Sequence, residues 1–328
     1  MKIHYRVQDN EVEIIRCYGR DNRIIIPDKI DGKEVTKACA YTFSARKSEE
    51  DKDCLIYETE EEILGYEDRL LAGEMVEQVI LPDTMREIGN YIFYGCKNLH
   101  TLEFSNRMMS VGSGAFTGCH SLNRLTVHMQ EEKKTCVKEI LGDLWQRIDV
   151  RLTEDTREAY LVFPEHYEEA VENTPARILF TQHHGSGNNY RQCFYNKELD
   201  YQKYDSLFSV AKVYDKLNVL ADMAFGRLLY PQCLTEQART EYEEYLRMNS
   251  EKAGQYLVDF AEEMTKDGEK GLDVTKEMNL MTERNLWDAN SLDKTIDYAS
   301  REEKKELLSQ LMEIRHRLFP VKKKRFEL

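Results

Sequence analysis

From Val76 the chain reads VEQVILPDTMREIGNYIFYGC, and from Leu99 it reads LHTLEFSNRMMSVGSGAFTGC. The apolar framework recurs every 23 residues: Val76, Leu99 and Leu122; Val79, Leu102 and Leu125; Leu81, Phe104 and Val127. Ile88 returns as Val111, Gly89 as Gly112, Phe93 as Phe116, Gly95 as Gly118 and Cys96 as Cys119. A fixed period in this range predicts stacked units, because one unit cannot bury its apolar face alone and neighbours can bury each other's. Within each unit L-x-x-L-x-L alternates, which predicts a short strand with one buried side. Leu102 is then expected over Leu125, and Phe93 over Phe116. The recurring glycines fall where the chain must turn, so positive φ or close backbone approach is expected there.

The segments ILP…EIGNYIFYGCKNLHTLEF and SVGSGAFTGCHSLNRLTV resemble the BspA-like class of bacterial leucine-rich repeats, whose pattern runs roughly P-x-x-x-x-x-I-G-x-x-A-F-x-G-C-x-x-L-x-x-I. IIIPDKIDGKEVTKACAYTF, Ile24 to Phe43, resembles the family's first-repeat form, with Ala38, Cys39 and Thr42 departing from its apolar residue, glycine and alanine. The resemblance spans residues about 24–128 and implies a binding scaffold rather than an activity. Several members of the family are secreted or surface-bound, but the charged N-terminus here does not read as an export signal, so that location is not expected.

The register then breaks. After Phe43 the next strand's first apolar residue is due at position 49 and arrives at Val76, a delay of 27 residues. The acidic segment 45–73 holds the excess and reads as a solvated excursion or as an element that touches a partner. On the repeat strands, Gln78, Ile80, Thr101, Glu103, Arg124 and Thr126 alternate with the buried positions, and Arg23 and Ile25 extend the set. This strand face is the usual binding surface of a solenoid, so Ile25, Gln78, Ile80, Thr101, Glu103, Arg124 and Thr126 are the candidate partner-binding residues. They are equally readable as ordinary exposed strand positions.

After Leu125 the regular pattern ends. Val137, Ile140, Leu141 and Leu144 at i, i+3, i+4 and i+7 predict an amphipathic helix within Glu131 to Ile148. IDVRLT and EAYLVFP read as strands, HYEEAVEN as a short helix, and ARILFTQHH as a strand before a Gly-rich linker. From Tyr201 onward short helices follow one another, among them one over Asn290 to Ala299 and one opened by a capping box at Ser300-x-x-Glu303 and ending near Phe319. Their lengths resemble ankyrin-like hairpins. The fold class expected is mixed α and β, a short leucine-rich repeat β-solenoid followed by an all-α helical-hairpin domain. The expected organisation is a solenoid at 1–150, a mixed connecting segment at 151–189 and a helical domain at 190–328.

Composition narrows the function. The net charge is −14, the wrong sign for general nucleic-acid binding; VKKKR near the C-terminus is the one dense basic run and reads as a solvated tail or as a contact to nucleic acid or acidic lipid. Charged residues interrupt the N-terminus, and no window offers the roughly 18–20 apolar residues of a membrane helix, so a cytoplasmic protein without membrane contact is expected. The eight cysteines are then mostly reduced, with no zinc-type spacing. Cys96 and Cys119 read as small core residues, with a disulfide between rungs as the alternative.

Candidate chemistry is sparse. His183 and His184 are adjacent and diverge on a strand. Cys193 needs an orienting group to act as a nucleophile, and GSGNN lacks the Lys-Ser/Thr of a phosphate loop. No cofactor, metal or catalytic residue is assigned. The leading expectation is a non-enzymatic scaffold for an unidentified protein partner. The alternative is an enzyme with a pocket where the connecting segment meets the helical domain.

Overall fold

In the computed structural model, residues 1–46, 54–58, 69–155, 157–173, 178–267 and 273–320 are described. Two compact units emerge: residues 1–158 with 163–207, and residues 159–162 with 208–328.

The first unit is a β-solenoid. Five parallel strands lie side by side in the order Arg23–Ile25, Gln78–Ile80, Thr101–Ser105, Arg124–His128 and Ile148–Glu154. The register follows the repeat, with Ile24, Val79, Leu102, Leu125 and Val150 in one lateral row, each at most 1% exposed. The unit at Ile24 to Phe43 is therefore a true rung despite its departures. The solenoid also runs one strand past the expected end, because IDVRLT adds to the same sheet.

On the opposite side the rings of Phe43, Phe93 and Phe116 stack at centroid distances of 5.2 and 5.3 Å. The cysteines follow the ladder: the Cys96 thiol donates to the Phe43 carbonyl at 3.1 Å, and Cys119 to that of Phe93 at 3.2 Å. Both are free thiols. Burial pushes the Cys96 thiol up to about 12 and raises Cys119 too. The alternation of core and thiol is thus a packing device.

Two kinds of glycine share this arc. Gly95 and Gly118 have φ of 78° and 86°, the left-handed region that suits glycine. Gly89 and Gly112 do not; there a Cβ would lie 2.3 Å from the backbone of the preceding rung, at Ala40 and Asn90 respectively. Cys39, at the same repeat position, belongs to the first rung and meets no earlier repeat, which frees the position from glycine. Its neighbour is the strand Glu11–Gly19, to whose Ile14 carbonyl the Cys39 amide donates at 2.8 Å.

That strand begins a cap. Lys2–Gln8 and Glu11–Gly19 form an antiparallel hairpin through Asp9 and Asn10, whose φ of 52° and 66° match a type I′ turn. Later rungs receive hydrogen bonds on their arc carbonyls from the rung before: Phe43 N–H to Ile92 O, Phe93 N–H to Ala115 O and Gly95 N–H to Thr117 O. The first rung has no predecessor. Arg16, 1% exposed, replaces it by donating to the carbonyls of Thr42 at 3.3 Å, Ser44 at 2.9 Å, Arg46 at 2.6 Å and Tyr41.

At the other end, the helix expected within Glu131 to Ile148 spans only Val137–Gly142. Leu144 is buried but lies beyond it, because the chain unwinds so that the Gln146 amide can donate to Cys119 O and Leu122 O, both at 2.9 Å. A second buried arginine, Arg191, gathers the carbonyls of Leu141, Gln146, Pro164 and Gly187 at 2.7–3.1 Å. HYEEAVEN is a strand, not a helix: Tyr167–Asn173 pairs antiparallel with Ile178–His184, and cross-strand pairing overrides its weak helical pattern. The VKKKR run and most of the acidic insertion lie outside the described residues.

The second unit is helical, with helices Phe208–Tyr214, Leu217–Leu229, Glu236–Met248, Ser250–Asp267, Val274–Glu283, Ala289–Arg301 and Lys305–Leu318. Leu217–Leu229 is its centre, buried without a break from Leu220 to Leu228. It lies so close to Tyr160 that a Cβ at Gly226 would sit 2.6 Å from the tyrosine ring. The capping box is built by Asp288 and Ser291, not by Ser300 and Glu303: Ser300 is still inside the preceding helix, and Glu303 sits at φ 55°. Among the described residues no helix is long and apolar enough to cross a membrane.

Candidate functional site

The outward side of the five parallel strands presents two complete lateral rows. One holds Arg23, Gln78, Thr101, Arg124 and Asp149; the other holds Ile25, Ile80, Glu103, Thr126 and Arg151. A third, shorter row holds Ser105, His128 and Thr153. Strict alternation with the buried positions sets the sides, and parallel in-register pairing sets the rows.

All seven candidate residues occupy outward register positions, but their exposure differs. Ile25 is 51% exposed, and Ile80, Glu103, Arg124 and Thr126 are half-buried. Gln78 and Thr101 are 9% and 5% exposed, far less than their alternation implies; Thr101 lies between the longer Gln78 and Arg124, and its Oγ1 is engaged by His100 Nδ1 at 2.9 Å. The face has members that sequence reasoning passed over: His128, Asp149, Arg151 and Thr153. Their alternation in RLTVH and IDVRLT was the available signal, unread because the second run was not placed in the solenoid.

Charges on this face pair locally. His128 Nε2 meets Glu103 Oε1 at 3.0 Å and its Nδ1 meets Asp83 Oδ1 at 3.3 Å. The Glu103 hydrogen bond raises the His128 pKa above 6.5, with Asp83 adding to the effect and partial burial opposing it. Arg147 grips Asp149 in a bidentate pair at 2.8 and 2.9 Å, and Arg151 meets Glu158 at 3.2 Å. Arg23 is exposed and Arg124 half-buried; neither guanidinium has a hydrogen-bond or ion-pair partner among the described residues.

The other candidates for chemistry resolve into structure. His183 and His184 lie on the hairpin, where they pair across strands with Glu168 at 3.3 Å and Glu169 at 3.2 Å, and the His184 ring stacks on Tyr167. Cys193 is fully buried, and desolvation holds its thiol at about 12, the opposite of an activated nucleophile. In the helical unit Glu277 is 1% exposed with neither carboxyl oxygen hydrogen-bonded, and burial beside Asp222 and Asp273 raises its pKa well above the ordinary value. Asp222 itself accepts from the Tyr256 hydroxyl at 2.7 Å. Among the described residues no three His, Cys, Asp or Glu side chains converge as a metal site.

A family profile described as BspA type Leucine rich repeat region (6 copies) matches residues 67–139. Among solved structures, the chain is similar to the leucine rich repeat protein TpLRR of T. pallidum, at 19% identity and a TM-score of 0.26, over 44% of this chain and 56% of that one. The chain thus spans little more than half the length of that relative. No curated protein matches.

Proposed function

We propose, from the premise that residues 67–139 of this chain are a BspA-type leucine-rich repeat region, that the protein is a scaffold that binds a protein partner on the outward face of its solenoid sheet. The observation that carries this reading is the registered face itself. Five strands hold its side chains in fixed rows, and their backbone is locked by parallel pairing, so little ordering entropy is lost on docking. The rows mix arginine, acid, hydroxyl and isoleucine, a composition suited to a flat protein interface. Ile25 and Ile80 are neighbours in register and put an apolar spot beside the charged positions.

The test is partner capture from the source lysate, comparing the native chain with Ile80→Arg plus Glu103→Arg. These positions lie on the outer side of the sheet, so the fold is expected to persist while recovery of the partner collapses. Undiminished recovery would remove the strand face from the binding surface.

A further inference from the structure

We infer that the partner presents an extended acidic segment, and that Arg23 and Arg124 are the two clamps that hold its carboxylates. This rests on the protein-binding reading above and names the chemistry of what is bound.

On the outward face of the sheet the charges are unevenly paired. Each acid there has a cationic partner or a histidine: Glu103 and Asp83 share His128, Asp149 has Arg147, and Glu158 has Arg151. Arg23 and Arg124 have none among the described residues. That is notable in a chain with 60 acidic and 46 basic residues, where acids are in excess. The two unmatched charges lie in one row of the face, and the acid of that row, Asp149, is already held by Arg147.

Position turns these two unpaired guanidiniums into a recognition element. Arg23 and Arg124 share one lateral row, with Gln78 and Thr101 between them. Three strand spacings separate them, about 14 Å. An extended peptide repeats its same-side side chains at i and i+4 over about 13 Å. A peptide lying across the strands therefore brings two acids, four residues apart, to the two guanidinium forks. Arginine suits the task because its planar fork binds carboxylate through two parallel hydrogen bonds. The neutral, nearly closed Gln78 and Thr101 set no competing charge between them. Ile25, two residues along the strand from Arg23 and 51% exposed, gives the segment an apolar contact next to its first acid. A nucleic acid fits less well, since two isolated cations neutralise two phosphates while the net charge of −14 repels the rest.

Selection of a random linear peptide library against the full chain tests this, followed by fluorescence anisotropy of the enriched peptides. Binding is compared on the native chain, on Arg23→Glu with Arg124→Glu, on Arg124→Lys and on Ile80→Arg, each checked for an unchanged melting temperature. Enriched peptides should carry Asp or Glu at i and i+4 and weaken roughly tenfold or more on the double glutamate variant. Arg124→Lys should retain part of the affinity, because the charge stays while the fork is lost. Neutral or basic peptides that respond to Ile80→Arg but not to the arginine changes would overturn the acidic partner and leave the strand-face reading standing. Peptides indifferent to every face substitution, or no enrichment, would remove both. Binding of a labelled oligothymidylate lost on the same arginine variants would reassign the clamps to phosphate and overturn the peptide.

Discussion

A glycine at position 112 and a glycine at position 95 are required for different reasons, and alanine separates them. At Gly112 a Cβ would meet Asn90 N and Gly89 C at 2.3 Å, so adjacent rungs would have to part. At Gly95 nothing lies within 4 Å and only the left-handed φ of 78° resists. Gly95→Ala is expected to cost about 1–2 kcal/mol, and Gly112→Ala clearly more, through forced overpacking of backbone. Urea denaturation of both variants decides it; equal losses would contradict the close-approach account. Glu277 gives a residue-scale prediction of another kind. Its buried carboxyl has a pKa raised above 4.5, so the folded state keeps a proton that the unfolded chain releases. Stability then falls as pH rises above about 4.5 until the buried group itself ionises. Glu277→Gln abolishes this, so its advantage should be absent near pH 4 and grow toward pH 7 by up to about 1.4 kcal/mol per pH unit. A difference between the two proteins that does not change with pH would refute the raised pKa.

At the scale of elements, the N-terminal hairpin acts as the missing rung. Arg16→Met would strand the Thr42 and Ser44 carbonyls in the core, at about 1–3 kcal/mol for each unsatisfied group. Because each rung of a solenoid contacts only its neighbours, the damage should stay local. Hydrogen exchange is expected to show lost protection across Val12 to Ser44, with Leu102 and Leu125 little changed. Uniform loss through the sheet would mean that Arg16 supports more than the cap. The hairpin was legible in principle, since Ile3, Tyr5 and Val7 alternate before Asp9-Asn10 and Val12 and Ile14 alternate after it. Its role was not, because the carbonyls that Arg16 satisfies lie 25–30 residues away in sequence. The hairpin at Tyr167–Asn173 failed differently: HYEEAVEN has no strong period, and its partner strand decided its conformation.

Across the whole molecule, the buried cysteines report on the packing of the first unit, and the exposed Cys233 of the helical unit serves as the reactive reference. Cys17, Cys39, Cys96, Cys119, Cys136 and Cys193 are buried free thiols, Cys54 is half-buried and Cys233 is exposed. Titration with a thiol reagent should modify Cys233 first and Cys54 more slowly, with the remaining six reacting only after denaturation. A native disulfide between Cys96 and Cys119, or rapid loss of either thiol, would contradict the ladder in which each donates to a carbonyl. The period of 23 residues, the stacking of Phe93 on Phe116, the thiols in the core and the inward and outward sides of each strand followed from the sequence alone, because a repeat places equivalent residues over one another whatever surrounds them. Tertiary structure decided the rest: that IDVRLT is a further rung, that Cys39 escapes the glycine rule, that Gln78 and Thr101 are shaded, and that Arg23 and Arg124 remain unmatched on one face. Each of these depends on what lies beside a residue in space, and neighbours brought together across dozens of residues leave no periodic trace in the chain.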